Sequence, residues 1–270
     1  MTKEIEEVKR MLKEKSSDPP ILPTDLLSTG STLLNLACSG NRLGGFAKGK
    51  YHFIVGDSAS GKTWVSLTCL AEAAINKEFD EYRFIYDNAE DGALMDIERF
   101  FGSGVATRLE PPEAEGDVPV YSETIEDFYY HIDDAIKEGK PFIYILDSMD
   151  SLSSFTEQGK FQEEKEAARK GKTTTGSFGD GKAKKNSANL RKLMPALRKS
   201  KSILIIINQT RDNLGFGFEK KSRSGGHALR FYATLEIWLS IKGKMKRTVR
   251  AKEREIGITC KVQVKKNRFT

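Results

Sequence analysis

One eight-residue motif limits what this chain can fold into more than any other feature. Residues 56–63 read GDSASGKT and match the pattern G-x-x-x-x-G-K-[ST], between the strand-like run YHFIV and a helical pattern that ends near Ile75. In such a turn the backbone N–H groups point inward, and the N-terminus of the next helix attracts an anion. The motif predicts a nucleotide-phosphate site formed by Gly56, Asp57, Ser58, Ala59, Ser60, Gly61, Lys62, Thr63 and Trp64.

Two side chains of this motif and one distant carboxylate predict how ATP and Mg²⁺ bind. Lys62 can reach the β- and γ-phosphates, and the Thr63 hydroxyl can ligate Mg²⁺. Asp147 ends the apolar run FIYIL and can orient the metal or its water opposite Thr63, since the carboxyl ends of parallel strands face one crevice. The alternative is that Asp147 only ends a strand, as many aspartates do.

Two further strand ends carry candidate residues for hydrolysis. Glu90 follows the strand-like run RFIYD and can polarise an attacking water, although Asp87 and Asp91 compete for that role or begin a helix. Asn208 and Gln209 follow the run ILIII, where an amide can sense the γ-phosphate and pass its presence to the next loop. A simpler interpretation is that Asn208 caps the strand.

The order of apolar patterns predicts an α/β fold. Strand-like runs at 51–55, 83–86, 142–146 and 203–207 alternate with helical patterns at 63–75, 124–137 and 190–197. Such alternation is typical of a mainly parallel sheet with helices on both faces. Two final strand-like runs, at 234–241 and 258–264, have no helix between them and predict an antiparallel extension.

The ends and the composition limit the domain organisation. Residues 3–14 predict a short helix with the apolar stripe Ile5, Val8 and Leu12, and the proline-containing stretch that follows predicts a linker. We therefore expect an N-terminal oligomerisation helix and linker at 1–25 and a single core at 26–270. The apolar runs are too short to span a membrane, and the N-terminus lacks an apolar signal segment, so we expect a cytoplasmic protein.

Positive charge is concentrated in the C-terminal half. Residues 160–201 hold 13 basic and four acidic side chains, and residues 211–254 hold 12 and four. Each window contains a glycine- and lysine-rich stretch, at 158–186 and at 211–226, which we interpret as a long loop. The asymmetry favours a polyanionic partner, and a solvated lysine-rich surface is the alternative.

No second reaction centre is visible in the sequence. Cys38, Cys69 and Cys260 are far apart and form no CxxC pair, so neither a disulfide framework nor a cysteine-based zinc site is predicted. The three histidines are isolated and lack metal-ligand spacing. We expect the cysteines to be buried small hydrophobic residues.

Taken in order, the motifs resemble the RecA family of strand-exchange ATPases. The resemblance extends from about Leu26 to Arg268 and depends on several segments in the right order. They are the phosphate motif with its preceding residues, DNAE at 87–90, ILDS at 145–148, IINQTRDNLG at 206–215, GGHALRFYATLEIWL at 225–239 and VKKNR at 264–268. In its compact length the chain resembles phage-encoded members of the family.

The resemblance implies an ATP- and Mg²⁺-dependent recombinase that assembles on single-stranded DNA and pairs it with homologous duplex. It implies Glu90 as the catalytic carboxylate, in a motif one residue longer than the family's, and Gln209 as the link between nucleotide and DNA. It implies that Lys266 and Arg268 reach the γ-phosphate of a neighbouring subunit, and that the N-terminal helix packs on such a neighbour. The two basic loops become DNA-binding loops, with the candidate residues Lys182, Lys184, Lys185, Arg211, Lys220, Lys221 and Arg223.

Other members of the wider group remain alternatives. A ring helicase or branch-migration ATPase related to RadA or DnaB would share the phosphate motif, and KNRF at 266–269 is similar to RadA. A nucleotide-gated assembly module of the KaiC type would bind ATP without processing DNA. The family's adenine-stacking aromatic residue has no obvious counterpart, because Ile97 stands near its expected position.

Overall fold

The fold is seen in a computed structural model that describes residues 21–93, 95–170, 181–212, 221–223 and 226–269. The predicted N-terminal helix at 3–14 lies outside these residues. Within them, twelve strands are present: β1 (Leu26–Leu27), β2 (Phe46–Ala47), β3 (Tyr51–Gly56), β4 (Arg83–Asp87), β5 (Leu109–Glu110), β6 (Glu113–Glu115), β7 (Val118–Val120), β8 (Phe142–Leu146), β9 (Ile203–Asp212), β10 (Lys221–Arg223), β11 (Leu235–Val249) and β12 (Lys252–Asn267).

Eight α-helices connect these strands in the described part of the chain. They are α1 (Thr32–Ser39), α2 (Lys62–Ala74), α3 (Ile97–Phe101), α4 (Ser103–Ala106), α5 (Ile125–Lys137), α6 (Phe155–Arg169), α7 (Gly181–Ser200) and α8 (His227–Tyr232). Short 3-10 turns occupy Pro23–Asp25 and Lys77–Phe79. None of the described helices combines the length and apolar character of a membrane span.

The main sheet confirms the predicted α/β architecture. Seven strands follow the order β12-β11-β3-β9-β8-β4-β5, and β10 pairs with the far end of β9. All neighbours from β11 to β5 are parallel, whereas β12 and β10 pair antiparallel. The antiparallel C-terminal extension was therefore predicted correctly, although both of its strands are longer than expected.

Two apolar cores form because alternate residues of the buried strands point to opposite faces. On one face Ile145 and Ile205 pack with the side chains of α2, including Leu67. On the other, Leu146 and Leu204 pack with α5 and α7. The helices cover both faces, as parallel strands with two apolar faces require.

This topology brings four functional segments to one edge of the sheet. Strands β3, β9, β8 and β4 are consecutive neighbours, and their carboxyl ends lead into the phosphate motif, Gln209, Asp147 and the segment from Asp87 to Glu90. Gly56 of β3 lies opposite Gln209 of β9, and Leu146 of β8 lies opposite Asp87 of β4. We call this edge the carboxyl edge.

The interpretation of residues 158–186 as a loop was wrong over most of its length. Helix α6 occupies 155–169, and α7 begins at Gly181. Ser154 caps α6 with a reciprocal capping box to Glu157, and the sequence that follows is rich in Glu, Lys, Gln and Ala, which are good helix formers. No side chain of α6 is buried. The scarcity of apolar residues therefore marks an exposed helix here, and residues 171–180 lie outside the described part.

The second predicted loop, at 211–226, is partly a hairpin. Strand β9 continues to Asp212, and β10 returns beside it, with Ser222 opposite Arg211. Lys221 and Arg223 lie in β10. Residues 213–220, which include Lys220, lie outside the described residues.

The candidate nucleotide site and its surroundings

The phosphate motif forms a tight turn between β3 and α2. Ala59 and Gly61 have φ values of 56° and 89°, which is the left-handed region that glycine tolerates best. A Cβ atom at Gly56 would stand 2.6 Å from both the Leu239 carbonyl oxygen and the Ser60 hydroxyl oxygen, so only glycine fits there. The backbone can consequently curl closely enough to present its N–H groups to an anion.

Lys62 is the first residue of α2, and its side chain extends back across the phosphate turn. Its Nζ donates to the Asp57 carbonyl oxygen at 2.7 Å, which keeps the ammonium group at the turn. Burial lowers the pKa of Lys62, and the nearby carboxylates of Glu90 and Asp147 act in the opposite direction. A buried cation next to a phosphate turn is suited to binding phosphate oxygens.

Thr63 and Asp147 meet as the sequence predicts for a metal site. The Thr63 hydroxyl donates to Asp147 Oδ2 at 2.5 Å, and the Tyr86 hydroxyl donates to the same oxygen at 2.9 Å. Burial raises the pKa of Asp147, against these two hydrogen bonds and the charge of Lys62. A hydroxyl and a carboxylate are hard oxygen ligands, and Mg²⁺ commonly binds one or two protein oxygens plus substrate phosphates, so this pair fits Mg²⁺.

The three candidate acids after β4 have different surroundings. Glu90 is exposed, accepts a hydrogen bond from Gln209 Nε2 at 2.6 Å, and donates its backbone N–H to the Asp147 carbonyl at 2.8 Å. Asp87 is fully buried and accepts from Ser122 and Tyr144. Asp91 is exposed at a turn. The geometry brings Glu90, among these acids, to Gln209.

Some contacts of the site were not anticipated from the sequence. The Tyr86 hydroxyl, from the residue before the end of β4, donates to the Asp147 carboxylate. The Asp150 carboxylate accepts a hydrogen bond from the backbone N–H of Gln209. Thr210 donates to the Asp57 carboxylate. The spacing of Asp150, three residues after Asp147, was the available signal. Together these contacts join β9 to both the phosphate turn and the segment after β8.

An aromatic pair stands beside the turn where the sequence offered only Ile97. Ile97 packs against the core. Trp64 and Phe100 are instead 46% and 49% exposed, with ring centroids 5.4 Å apart. Trp64 directly follows Thr63 in the chain, so this pair is an exposed aromatic surface adjacent in sequence to the candidate metal ligand Thr63.

Lys266 and Arg268 lie at the opposite end of the sheet. Both donate to the Phe231 carbonyl, at 2.9 and 2.7 Å, close to the C-terminus of α8. The Arg268 backbone binds Thr234, whose N–H binds Tyr51 at the start of β3. Tyr51 and Gly56 are the two ends of β3, which are about 17 Å apart at roughly 3.3 Å per residue. Within one chain, the two cations and the phosphate turn are therefore separated.

Three of the lysines predicted to bind DNA, Lys182, Lys184 and Lys185, lie in the first turns of α7. Lys182 donates to Glu157 at 3.0 Å and to the Leu152 carbonyl at 2.7 Å, and Lys185 is paired with Glu126. Lys184 is exposed and has no ion pair within the described structure. Two of the three cations are thus already compensated by carboxylates.

A second basic surface was only partly anticipated. Beyond the sheet, β11 and β12 continue as a two-stranded ribbon, residues 240–261, closed by a turn at Arg250 and Ala251, which have φ values of 53° and 60°. Two positive φ values are typical of a type I′ hairpin turn. Every residue from 240 to 259 is exposed. The turn lacks the usual Asn-Gly signal, which explains why the predicted strands were too short.

The ribbon separates its charges by face. Residues directly opposite share a face, and successive pairs alternate between faces. One face carries the ion pairs Lys244–Glu255 and Lys246–Glu253, both within 3.0 Å. On the other face Arg247 lies opposite Arg254, and Lys252 is the next cation. Like charges that face each other destabilise a hairpin, so an anion bound to this face would relieve the repulsion.

Fold and site together define an α/β protein with a phosphate turn, a metal-type hydroxyl–carboxylate pair and a strand-end glutamate–glutamine pair. Comparison with known proteins narrows this class. The RecA N-terminal domain family model matches residues 160–270. RecA of Cytophaga hutchinsonii is 28% identical over 262 residues, which cover 94% of this chain and 63% of that protein. RecA of Mesoplasma florum is 30% identical over 214 residues, covering 79% and 56%.

A structural comparison agrees with the sequence comparisons. The crystal structure of the RadB recombinase superposes with a TM-score of 0.56 at 17% identity, over 90% of this chain and 91% of that one, and supports the fold. The family-model match and the similarity to RecA proteins support a relationship of this chain with the RecA family. It spans less than two thirds of the length of the RecA proteins named above.

Proposed function

We propose that the protein is an ATP- and Mg²⁺-dependent recombinase of the cytoplasm, which assembles on single-stranded DNA and promotes homologous pairing and strand exchange. The observation that carries this proposal is the 2.6 Å hydrogen bond between Glu90 and Gln209 at the carboxyl edge. This hydrogen bond joins Glu90, the candidate general base, to strand β9, which leads into the basic β9–β10 hairpin. The RecA-family relationship supports the same function.

Nucleotide binding is assigned to the phosphate turn. Its N–H groups and Lys62 would bind the β- and γ-phosphates, and Thr63 and Asp147 would hold Mg²⁺. When bound, Mg²⁺ neutralises negative charge that develops on the phosphate oxygens. Trp64 and Phe100 supply an apolar surface for the base.

Glu90 acts as the general base in this proposal. An exposed carboxylate at the carboxyl edge can accept a proton from the attacking water, which an amide cannot do. Gln209 holds one oxygen of Glu90 at 2.6 Å and therefore limits the orientations of that carboxylate. A γ-phosphate that binds the Gln209 amide in place of Glu90 would free the Glu90 carboxylate. The same exchange would move the end of β9, which carries Gln209.

DNA binding is assigned to the basic surfaces that flank this edge. Lys184 and the arginine-bearing face of the ribbon are available to phosphates, while Lys182 and Lys185 must first leave their carboxylate partners. Arg211, Lys220, Lys221 and Arg223 stay predicted DNA-binding residues from the sequence. Salt-sensitive binding is expected, because every phosphate contact releases condensed counterions.

The proposed active site is completed between subunits. Lys266 and Arg268 occupy the edge opposite the phosphate turn of their own chain, so a head-to-tail neighbour could present them to that turn. Such a contact is heterologous and generates filaments or rings. An arginine supplied by a neighbour stabilises transferring phosphate in other nucleotide hydrolases.

Electron microscopy with ATP and DNA, combined with a strand-exchange assay, tests this function. We expect open filaments on single-stranded DNA and ATP-dependent exchange of a homologous strand. Closed rings that unwind duplex DNA would favour the RadA- or DnaB-like helicase. Nucleotide-dependent assembly with no affinity for DNA would favour the KaiC-like module.

A further inference from the structure

A buried hydrogen-bond network lies behind the segment that carries Glu90. It begins at Asp87, the last residue of β4, and includes Ser122, Tyr144 and His131. None of these four side chains is more than 9% exposed. The sequence suggested Asp87 as a possible catalytic acid and treated His131 as isolated, so neither residue's role in this network was anticipated.

Asp87 accepts three hydrogen bonds. Ser122 donates twice, from its backbone N–H to Oδ1 at 2.9 Å and from its hydroxyl to Oδ2 at 2.6 Å. The Tyr144 hydroxyl donates to Oδ2 at 2.7 Å. Burial raises the pKa of Asp87, and these donors together with the charge of His131 act in the opposite direction. The network therefore favours the ionised carboxylate that burial alone disfavours.

The protons in this network can be assigned by counting donors. Ser122 has a single hydroxyl proton, and the contact with Asp87 uses it. The 2.9 Å contact between Ser122 Oγ and His131 Nδ1 therefore needs its proton from the imidazole. His131 Nε2 faces a Glu113 carboxylate oxygen at 3.3 Å, which also accepts. The contact with Ser122 is therefore satisfied by a proton on His131 Nδ1.

The backbone transmits the position of Asp87 to Glu90. The Asp147 N–H donates to the Asp87 carbonyl at 2.9 Å, and the Glu90 N–H donates to the Asp147 carbonyl at 2.8 Å. These two bonds align the segment from Asp87 to Glu90 with Asp147. The side chain of Asp87 fixes one end of that segment, and Gln209 contacts the other.

We propose that Ser122 and His131 are positioning residues for Glu90. His131 orients the Ser122 hydroxyl, Ser122 clamps the Asp87 carboxylate, and the clamped strand end sets the place of Glu90 relative to Asp147. Neither residue touches the phosphate turn in the contacts described. The inference rests on the proposed role of Glu90 in ATP hydrolysis.

Ser122→Ala tests this inference against a matched change, Ser202→Ala. Ser202 is also fully buried, and its hydroxyl accepts from the Phe142 N–H at 3.1 Å, but it lies at the edge of the sheet opposite the site. Both variants lose one buried hydroxyl. We expect similar falls in thermal midpoint, whereas only Ser122→Ala lowers kcat, by roughly ten- to a hundredfold, as misplacement of a reacting group does. The affinity for ATP should not change.

Conservative replacements separate positioning from packing. Ser122→Thr keeps the hydroxyl and should retain turnover. His131→Asn keeps an N–H donor near the place of Nδ1 and should retain more turnover than His131→Leu. If the wild-type protein hydrolyses ATP but Ser122→Ala and Ser202→Ala have equal turnover, the positioning role is overturned and the proposed function is not. A wild-type protein that hydrolyses no ATP with single-stranded DNA contradicts the proposed function itself.

A measurement on the unmodified protein covers variants that fail to fold. Nitrogen-15 NMR of the imidazole rings distinguishes protonated from unprotonated ring nitrogens. We expect His131 to carry a proton on Nδ1 that is shielded from solvent exchange. An unprotonated Nδ1 would contradict the proton assignment, and His131 would then not be a positioning residue for Glu90.

Discussion

The carboxyl edge of the sheet and the basic surfaces beside it represent two kinds of functional region. At the carboxyl edge, polar side chains contact one another directly, with Thr63 bound to Asp147 and Glu90 bound to Gln209. On the basic surfaces, the cations differ in what they contact. Lys182 and Lys185 are paired with carboxylates, whereas Arg247 and Arg254 face each other.

The difference teaches that charge content and charge availability are separate properties. A salt-bridged lysine must exchange one anion for another before it binds DNA, so its net contribution is reduced. An arginine opposite another arginine is repelled by it, so a phosphate that binds there lowers the electrostatic energy of the pair. We therefore expect mutations at the carboxyl edge to have large effects on turnover, and mutations on the basic surfaces to have graded effects on binding.

Lys62→Ala should have the largest effect. The change removes the ammonium group that lies across the phosphate turn, and with it a charge-assisted contact to the β- and γ-phosphates. We expect nucleotide-dependent activity to be abolished, with turnover reduced by at least about 10²-fold, the scale for loss of one transition-state donor. Lys77→Ala is the control, because Lys77 is exposed in the turn before β4. Normal turnover in Lys62→Ala would refute the assignment of the site.

Glu90→Gln should keep ATP binding and lose hydrolysis. The amide preserves size but cannot accept a proton, and general-base catalysis contributes about 10²- to 10⁴-fold. The variant should also hold DNA longer in the presence of ATP. Asp91→Asn is the matched control, one residue further and without a contact to Gln209 among those described. If Asp91→Asn or Asp87→Asn blocks turnover while Glu90→Gln does not, the acid has been misassigned.

Mixing two inactive variants tests whether the two ends of the sheet meet between subunits. Lys62→Ala and Arg268→Ala should partly restore hydrolysis when combined, since some interfaces then join an intact phosphate turn to an intact arginine. The alternative is that Lys266 in edge strand β12 and Arg268 just after it only discourage aggregation. The absence of any recovery in assemblies shown to be mixed would eliminate the shared site.

Neutralising the cations of either basic surface should have smaller effects, which the salt dependence of DNA binding measures. Each contact to a single strand releases about 0.7 counterion, so neutralising Arg247, Lys252 and Arg254 should lower the slope of log affinity against log salt by up to roughly 2. Neutralising Lys182, Lys184 and Lys185 should also lower it by up to roughly 2, and by less if the ion pairs persist. An unchanged slope in either set returns that surface to the solvated alternative. Lys77→Gln with Lys140→Gln removes two exposed charges elsewhere and measures how much of the change comes from net charge alone.

The sequence predicted the parts of the molecule whose signals are local. The phosphate turn needs eight consecutive residues, and the buried strands are recognisable from short apolar runs, so β3, β4, β8 and the first part of β9 were predicted correctly. The contact between Thr63 and Asp147 followed from the rule that parallel strands end at one edge. That rule needs no knowledge of strand order.

The remainder depended on contacts between distant residues. Helix α6 has no buried face, so its pattern lacked the apolar periodicity that identifies a helix. The partners of Lys182 and Lys185 come from α6 and α5 and have no signal in the lysine-rich segment itself. The clamp on Asp87 combines residues from β4, β8, α5 and the segment before α5.

ATP turnover by the wild-type protein, with and without single-stranded DNA, tests the central claim most directly. Strand β9 connects Gln209, the partner of Glu90, to the basic hairpin, so we expect single-stranded DNA to increase kcat. Gln209→Ala should retain basal ATP binding but lose this stimulation. Turnover that is the same with and without DNA, in a protein shown to bind that DNA, would contradict the proposed coupling.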